Sequence, residues 1–137
     1  MAVKPNFKPK KKRKVHGATF WDKEYTNPEH LKLSTVESED LAKFTRWLIR
    51  QKRQDVLQPD ESAVDAGCGN GRNLIYLAKQ FDMKGVGVDI SSAAVAQAKR
   101  ASTDFSISYH VGSAGTPLPS EDESQSIALD MMTSHFL

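Results

Sequence analysis

One cysteine, no long apolar run and no acid before Asp22 are the first things this sequence withholds. With Cys68 alone, no disulfide can form within the chain, and a reducing compartment is expected. No apolar run approaches the roughly 20 residues of a membrane-spanning helix. The N-terminus carries no apolar core of the secretory-signal kind. A cytoplasmic chain without membrane contact is therefore expected. His16, His30, His110 and His135 are scattered without metal-ligand spacing, so no metal site is expected. No internal repeat is apparent. What is present is ordinary for one soluble domain: 137 residues, 39% hydrophobic, mean hydropathy −0.51.

The missing acids leave a basic arm. Lys4, Lys8, Lys10, Lys11, Lys12, Arg13 and Lys14 are seven of the 19 basic residues, so a net charge of +2 conceals an acidic body. Pro5, Pro9 and like-charge repulsion mark residues 1–17 as a disordered tail. Residues 9–15, Pro-Lys-Lys-Lys-Arg-Lys-Val, resemble the viral large-T-type nuclear localisation signal residue for residue. An import signal, an appended tag and a native basic tail all fit the run. Read in a eukaryotic cell it would make the chain nuclear. The charges of residues 4–14 would also hold RNA or DNA by non-specific, salt-dependent phosphate contacts.

The most informative stretch is Val64-Asp65-Ala66-Gly67-Cys68-Gly69-Asn70-Gly71. A short apolar run ends on an acid, breaks into three alternating glycines, and gives way to a helical pattern. That spells strand, tight turn and helix. Glycine lets backbone take positive φ and lets a ligand pack on the peptide planes. The N–H groups opening the next helix can bind a polar or anionic group. Cys68 reads as a small apolar filler beneath the turn rather than a nucleophile, because no histidine lies near it in sequence.

Two ligands compete for such a turn, beside a plain glycine-rich connection. A dinucleotide fingerprint puts its third glycine three positions after the second. Here Gly71 comes two after Gly69, and the acid ahead of the turn would repel a pyrophosphate while suiting an ammonium group. At these residues the chain resembles the class I S-adenosylmethionine-dependent methyltransferases. Their first motif, hydrophobic-D-x-G-x-G-x-G, is matched at every defined position from Val64 to Gly71.

A second apolar run, Gly85-Val86-Gly87-Val88-Asp89-Ile90-Ser91, follows one helix-length later and again ends on an acid. An acid about 20 residues past a glycine turn can accept hydrogen bonds from ribose hydroxyls. The resemblance gives Asp89 that role and sets Ile90 against the adenine ring. The bland alternative for Asp89 is a helix N-cap, a place Ser91 or Ser92 would fill equally well. The resemblance thus implies S-adenosyl-L-methionine as cofactor. Asp65, Gly67, Cys68, Gly69, Gly71, Asp89, Ile90, Ser113, Ala114 and Asp130 are the residues expected to hold it.

The periodicity predicts strands at 62–65, 84–89, 106–111 and 126–131, with helices at 71–81 and 93–102. Alternating strands and helices predict an α/β fold with a mainly parallel sheet and right-handed crossovers. The resemblance makes it a Rossmann-like three-layer sandwich with strand order 3-2-1-4. The remaining strands of that family's core are missing, so a truncated chain, weak or inactive alone, is expected. Residues 1–17 form the tail, 18–60 a helical and aromatic cap segment, and 61–137 a partial S-adenosylmethionine-binding domain. Phe20-Trp21-Asp22-Lys23-Glu24-Tyr25 resembles a family segment that lies over the cofactor; packing its aromatics on the domain is the plainer reading. Ser38-Glu39-Asp40 caps a helix expected to place Leu41, Phe44, Leu48 and Trp47 on one face. Its basic residues would face solvent or a polyanion.

Two departures from the family pattern bear on chemistry. Where the family commonly offers an acid to the adenine amino group, this chain offers Ser113. Before strand four, Asp122-Glu123-Ser124-Gln125-Ser126 keeps only the first half of the usual run. The segment from Leu129 corresponds to the methyl-transfer pocket, which makes Asp130 and His135 the catalytic candidates for orienting or deprotonating an acceptor. The acceptor itself is not encoded in these motifs. The alternative reading is a non-catalytic nucleic-acid-binding module that uses the basic arm on a Rossmann-like scaffold.

Overall fold

The computed structural model describes residues 16–28 and 33–131. The basic arm, residues 4–14 included, and His135 lie outside the described residues. Strands β1 (Ser62–Ala66), β2 (Lys84–Asp89), β3 (Ile107–Val111) and β4 (Ile127–Leu129) make one parallel sheet in the order β3-β2-β1-β4, as expected. Parallel neighbours cannot be joined by a hairpin. Helix α3 (Arg72–Phe81) therefore carries the chain from β1 to β2, and α4 (Ser92–Ala101) from β2 to β3.

Helical spacing of small and branched apolar residues explains both crossovers. α3 buries Leu74, Leu77 and Ala78 and ends at Asp82, which takes the left-handed conformation at φ 56°. α4 buries Ala94, Val95 and Ala98. Its N-cap is Ser91, whose hydroxyl accepts from the Ala94 N–H at 3.1 Å. The serine takes the cap and leaves Asp89 to other work. β4 is shorter than its apolar run suggested, although the Ser126 N–H extends the pairing to the Ser62 carbonyl at 2.8 Å.

Both crossover helices lie against the sheet face that bears Gly85, Gly87, Ile107 and Tyr109. A side chain at Gly87 would meet Tyr109 and Cys68, so the glycine is what lets the tyrosine lie flat on β2. The Tyr109 hydroxyl is shared with Ser102 at 2.8 Å, satisfying two buried polar groups at once. Leu41, Leu57, Leu74, Leu77, Met83 and Ile127 complete the core beside them.

Two helices precede the sheet. The aromatic segment, which showed no regular pattern in sequence, is helix α1 (Ala18–Thr26). It lacks an apolar stripe because Glu24 is its one fully buried residue. A polar latch holds it instead. Asp22 Oδ1 accepts from the Ser91 hydroxyl at 2.7 Å and the Ala93 N–H at 3.1 Å, which anchors α1 to the N-terminus of α4. Those donors, Ser91 first, hold the Asp22 carboxyl below its ordinary value. The Gln97 side chain adds a bond to the Tyr25 carbonyl.

Helix α2 (Glu39–Arg50) starts at Ser38, as expected, but its buried face differs. Leu41, Thr45 and Leu48 point inward, whereas Phe44 and Trp47 are 41% and 47% exposed. Thr45 holds the central inward position because its hydroxyl pairs with the Tyr76 hydroxyl of α3 at 2.8 Å. The two aromatics lie outside that inward face.

Candidate functional site

At the carboxyl ends of β1, β2 and β3 lies a cavity of about 260 Å³. Such a place is where open α/β sheets bind ligands. Its floor is the glycine turn. Gly67, Gly69 and Gly71 have φ of 85°, 55° and 81°, a run of left-handed backbone that side chains resist. The Gly67 and Cys68 N–H groups both donate to the Val88 carbonyl, at 2.7 and 2.9 Å, which ties the turn to the end of β2.

Asp89 completes that tie. Its Oδ2 accepts from the Gly69 N–H at 2.8 Å and its Oδ1 from the Ser91 N–H at 2.8 Å. Each oxygen keeps a lone pair for a further donor. Burial pushes the Asp89 carboxyl up, while the Ser91 and Gly69 N–H groups pull it back. Ile90, 40% exposed, presents an apolar flank to the same cavity.

Of the residues expected from sequence, Gly67, Cys68, Gly69, Asp89, Ile90, Ser113 and Ala114 are together on the cavity wall. Gly71 is one step removed: it caps α3 and packs under the Tyr109 hydroxyl. Asp130 follows β4 on the surface, outside the wall, and Met131 takes the neighbouring place on it. Cys68 is buried, and burial pushes its thiol far up, as befits packing rather than nucleophilic attack.

Trp21 and Tyr25 reach the wall from α1, the aromatic segment already marked in the sequence, and His16, just ahead of α1, joins them without any motif signal. Tyr25 stands so close above Gly69 that its hydroxyl would be 2.2 Å from a β-carbon there. The rim is the segment 33–38, held by polar residues at the start of α3. Asn70 donates to the Ser34 carbonyl at 2.9 Å, Arg72 to the Val36 carbonyl at 3.0 Å, and Asn73 accepts from the Ser38 N–H at 2.9 Å. Polar side chains where an amphipathic helix begins were the one available hint; the partners lie some 36 positions away.

Asp65 is beneath the cavity rather than on it. It is 1% exposed, and its Oδ1 is a buried oxygen with no hydrogen-bond partner among the described residues. Burial, reinforced by Asp89 and opposed by Arg72, pushes its carboxyl up to about 7. Between about pH 4 and pH 7 the folded chain therefore keeps a proton that the unfolded chain has released, and stability falls as pH rises through that window. Urea midpoints should show the ligand-free chain losing about 2 kcal/mol more than Asp65→Asn between pH 5 and pH 8. Equal losses in the two proteins would remove Asp65 as the source.

The fold and the cavity together define a Rossmann-like α/β domain with a nucleotide-type site at a glycine turn. A family described as "Methyltransferase domain" matches residues 63–137, more than half of the chain, and the chain belongs to that family. Solved structures share the fold. A SAM-dependent methyltransferase from Thiobacillus denitrificans, in complex with S-adenosyl-L-homocysteine, is 24% identical at a TM-score of 0.55, over 77% of this chain and 40% of that one. One from Geobacter sulfurreducens, also in complex with S-adenosyl-L-homocysteine, is 23% identical at 0.55, over 78% and 41%. Geranyl diphosphate C-methyltransferase from Streptomyces coelicolor A3(2) is 20% identical at 0.54, over 81% and 50%. The chain thus spans half or less of the length of these structures. No curated protein matches the sequence.

Proposed function

We propose that the chain binds S-adenosyl-L-methionine and serves methyl transfer from it to an acceptor. One observation carries this reading: Asp89 is bonded to the Gly69 N–H, so a bare glycine turn and a ribose-type carboxylate form one cavity wall. The residues fit the group in chemistry as well. Asp89 would accept two ribose hydroxyls on its remaining lone pairs. Ile90 would cover one face of the adenine, and Ser113 and Ala114 would edge it. Asp65, with an unpaired oxygen below the turn, would be driven to its charged form by a nearby ammonium group and would then attract it. The bare Gly69 lets the Tyr25 hydroxyl close directly over the turn.

When bound, the cofactor supplies a methyl group already activated on sulfonium. The chain's own part is to orient and shield it. Trp21 and Tyr25 from α1 would exclude water above the turn, and the pinned rim would hold the wall in place. Asp130 and His135 are proposed to orient an acceptor. His16, on the described wall, is a further candidate for that side. The neighbours printed as complexes with S-adenosyl-L-homocysteine support the cofactor class.

Calorimetric titration of the chain with S-adenosylhomocysteine tests the reading. One-to-one binding with micromolar or tighter affinity is expected, with none for NAD under the same conditions. Absence of heat with S-adenosylhomocysteine at concentrations well above micromolar would overturn it.

A further inference from the structure

The outer face of α2 is used neither by the core nor by the cavity. From Lys43 to Arg53 the chain has five basic residues and no acid, in a body that is otherwise acidic. All five are exposed. Lys43 pairs with Glu39 at 2.9 Å and Arg53 with Asp55 at 3.0 Å, while Arg46, Arg50 and Lys52 form no ion pair among the described residues. Among these cations stand the rings of Phe44 and Trp47, one helical turn apart, stacked at 6.0 Å with planes 16° apart. Each ring keeps an open face, being 41% and 47% exposed.

We propose that this face docks a single-stranded nucleic acid, with Arg46, Arg50 and Lys52 on its phosphates and a base stacked on the Phe44–Trp47 pair. Exposed aromatics interleaved with unpaired cations are what such a strand needs: charge for the backbone and flat apolar surface for unstacked bases. The local positive charge stands out against an acidic body, so a polyanion is steered to this face and away from the rest of the surface. A lipid surface fits less well. A membrane-lying helix needs one wide apolar face free. In α2 that face, Leu41, Thr45 and Leu48, is already buried, and exposed Ile49 lies on the far side of the helix from Trp47. The proposal is independent of the cofactor reading, since none of these residues touches the cavity.

The test is fluorescence anisotropy of labelled twelve-nucleotide oligouridine with the full chain, in the presence of S-adenosylhomocysteine. Binding is expected, and Phe44→Ala/Trp47→Ala should weaken it about tenfold. Arg46→Gln/Arg50→Gln should lower the slope of log K against log salt by about 1.4. Both variants should keep the parent circular dichroism spectrum and S-adenosylhomocysteine affinity, so a failure here is separable from a failure of the cofactor reading. Affinity within twofold of the parent in the aromatic variant would overturn the proposal. So would equal displacement by polyglutamate, which has the charge but no bases, or binding to anionic vesicles without binding to oligouridine.

Discussion

Asp89→Ala is expected to weaken S-adenosylhomocysteine binding by about 100-fold or more in calorimetry. Hydrogen bonds to a charged group contribute about 1.5–3 kcal/mol each, and two ribose hydroxyls would lose their acceptor together. The same change also frees the N–H groups of Gly69 and Ser91, which Asp89 holds at 2.8 Å. Part of the effect is therefore a looser turn, and a control must separate the two. Asp89→Asn supplies it: the amide oxygen can still take one backbone N–H, but its NH2 group cannot accept from a hydroxyl. Asn should therefore recover most of the lost thermal stability and little of the lost affinity. Affinity within about threefold of the parent in Asp89→Ala would remove ribose from this wall.

Gly87→Ala should be strongly destabilising for a change of a single methyl group. The added β-carbon would stand 2.5 and 2.8 Å from Cδ1 and Cε1 of Tyr109 and 2.9 Å from Cys68 Sγ. The two tyrosine atoms belong to a rigid ring, and Tyr109 and Cys68 are both buried at 5% exposure. Overpacking of this kind costs about 1–3 kcal/mol, and a clash from two sides belongs at the upper end. A fall of roughly 10 °C in midpoint temperature follows for a domain of this size. Because the φ of Gly87 is not in the left-handed region, the penalty is steric alone. Gly87→Ala/Tyr109→Val should therefore be more stable than the two single losses added together. Strict additivity would place the damage elsewhere.

Both crossover helices and most of the cavity floor were legible in the sequence because local chemistry wrote them; the strand order came from the family resemblance. Glycines at alternate positions, apolar runs ending on acids, and a serine before α4 each act within a few residues. Legibility stopped where the partner was distant. Nothing near Asp22 announced that it would bond Ser91, nor near Asn70 that it would hold Ser34. The inward position of α2 went to Thr45 over Phe44 for the same reason: the deciding hydroxyl belongs to Tyr76, 31 positions on. Asp65 was legible as a site acid. Its place below the wall was not, since depth depends on how the sheet is covered.

Helix α1 carries a consequence for how the cavity opens. It has nine residues and no wide apolar stripe, and its attachments include the Asp22 latch, the Gln97 bond and Tyr25 over the turn. A peptide of that length does not hold a helix in water by itself. Undocking of α1 would therefore bring its unwinding with it, and would leave the cavity without a roof. A ligand that met α1 undocked would have to order that coil as it bound, and its net affinity would be its contact energy less that ordering.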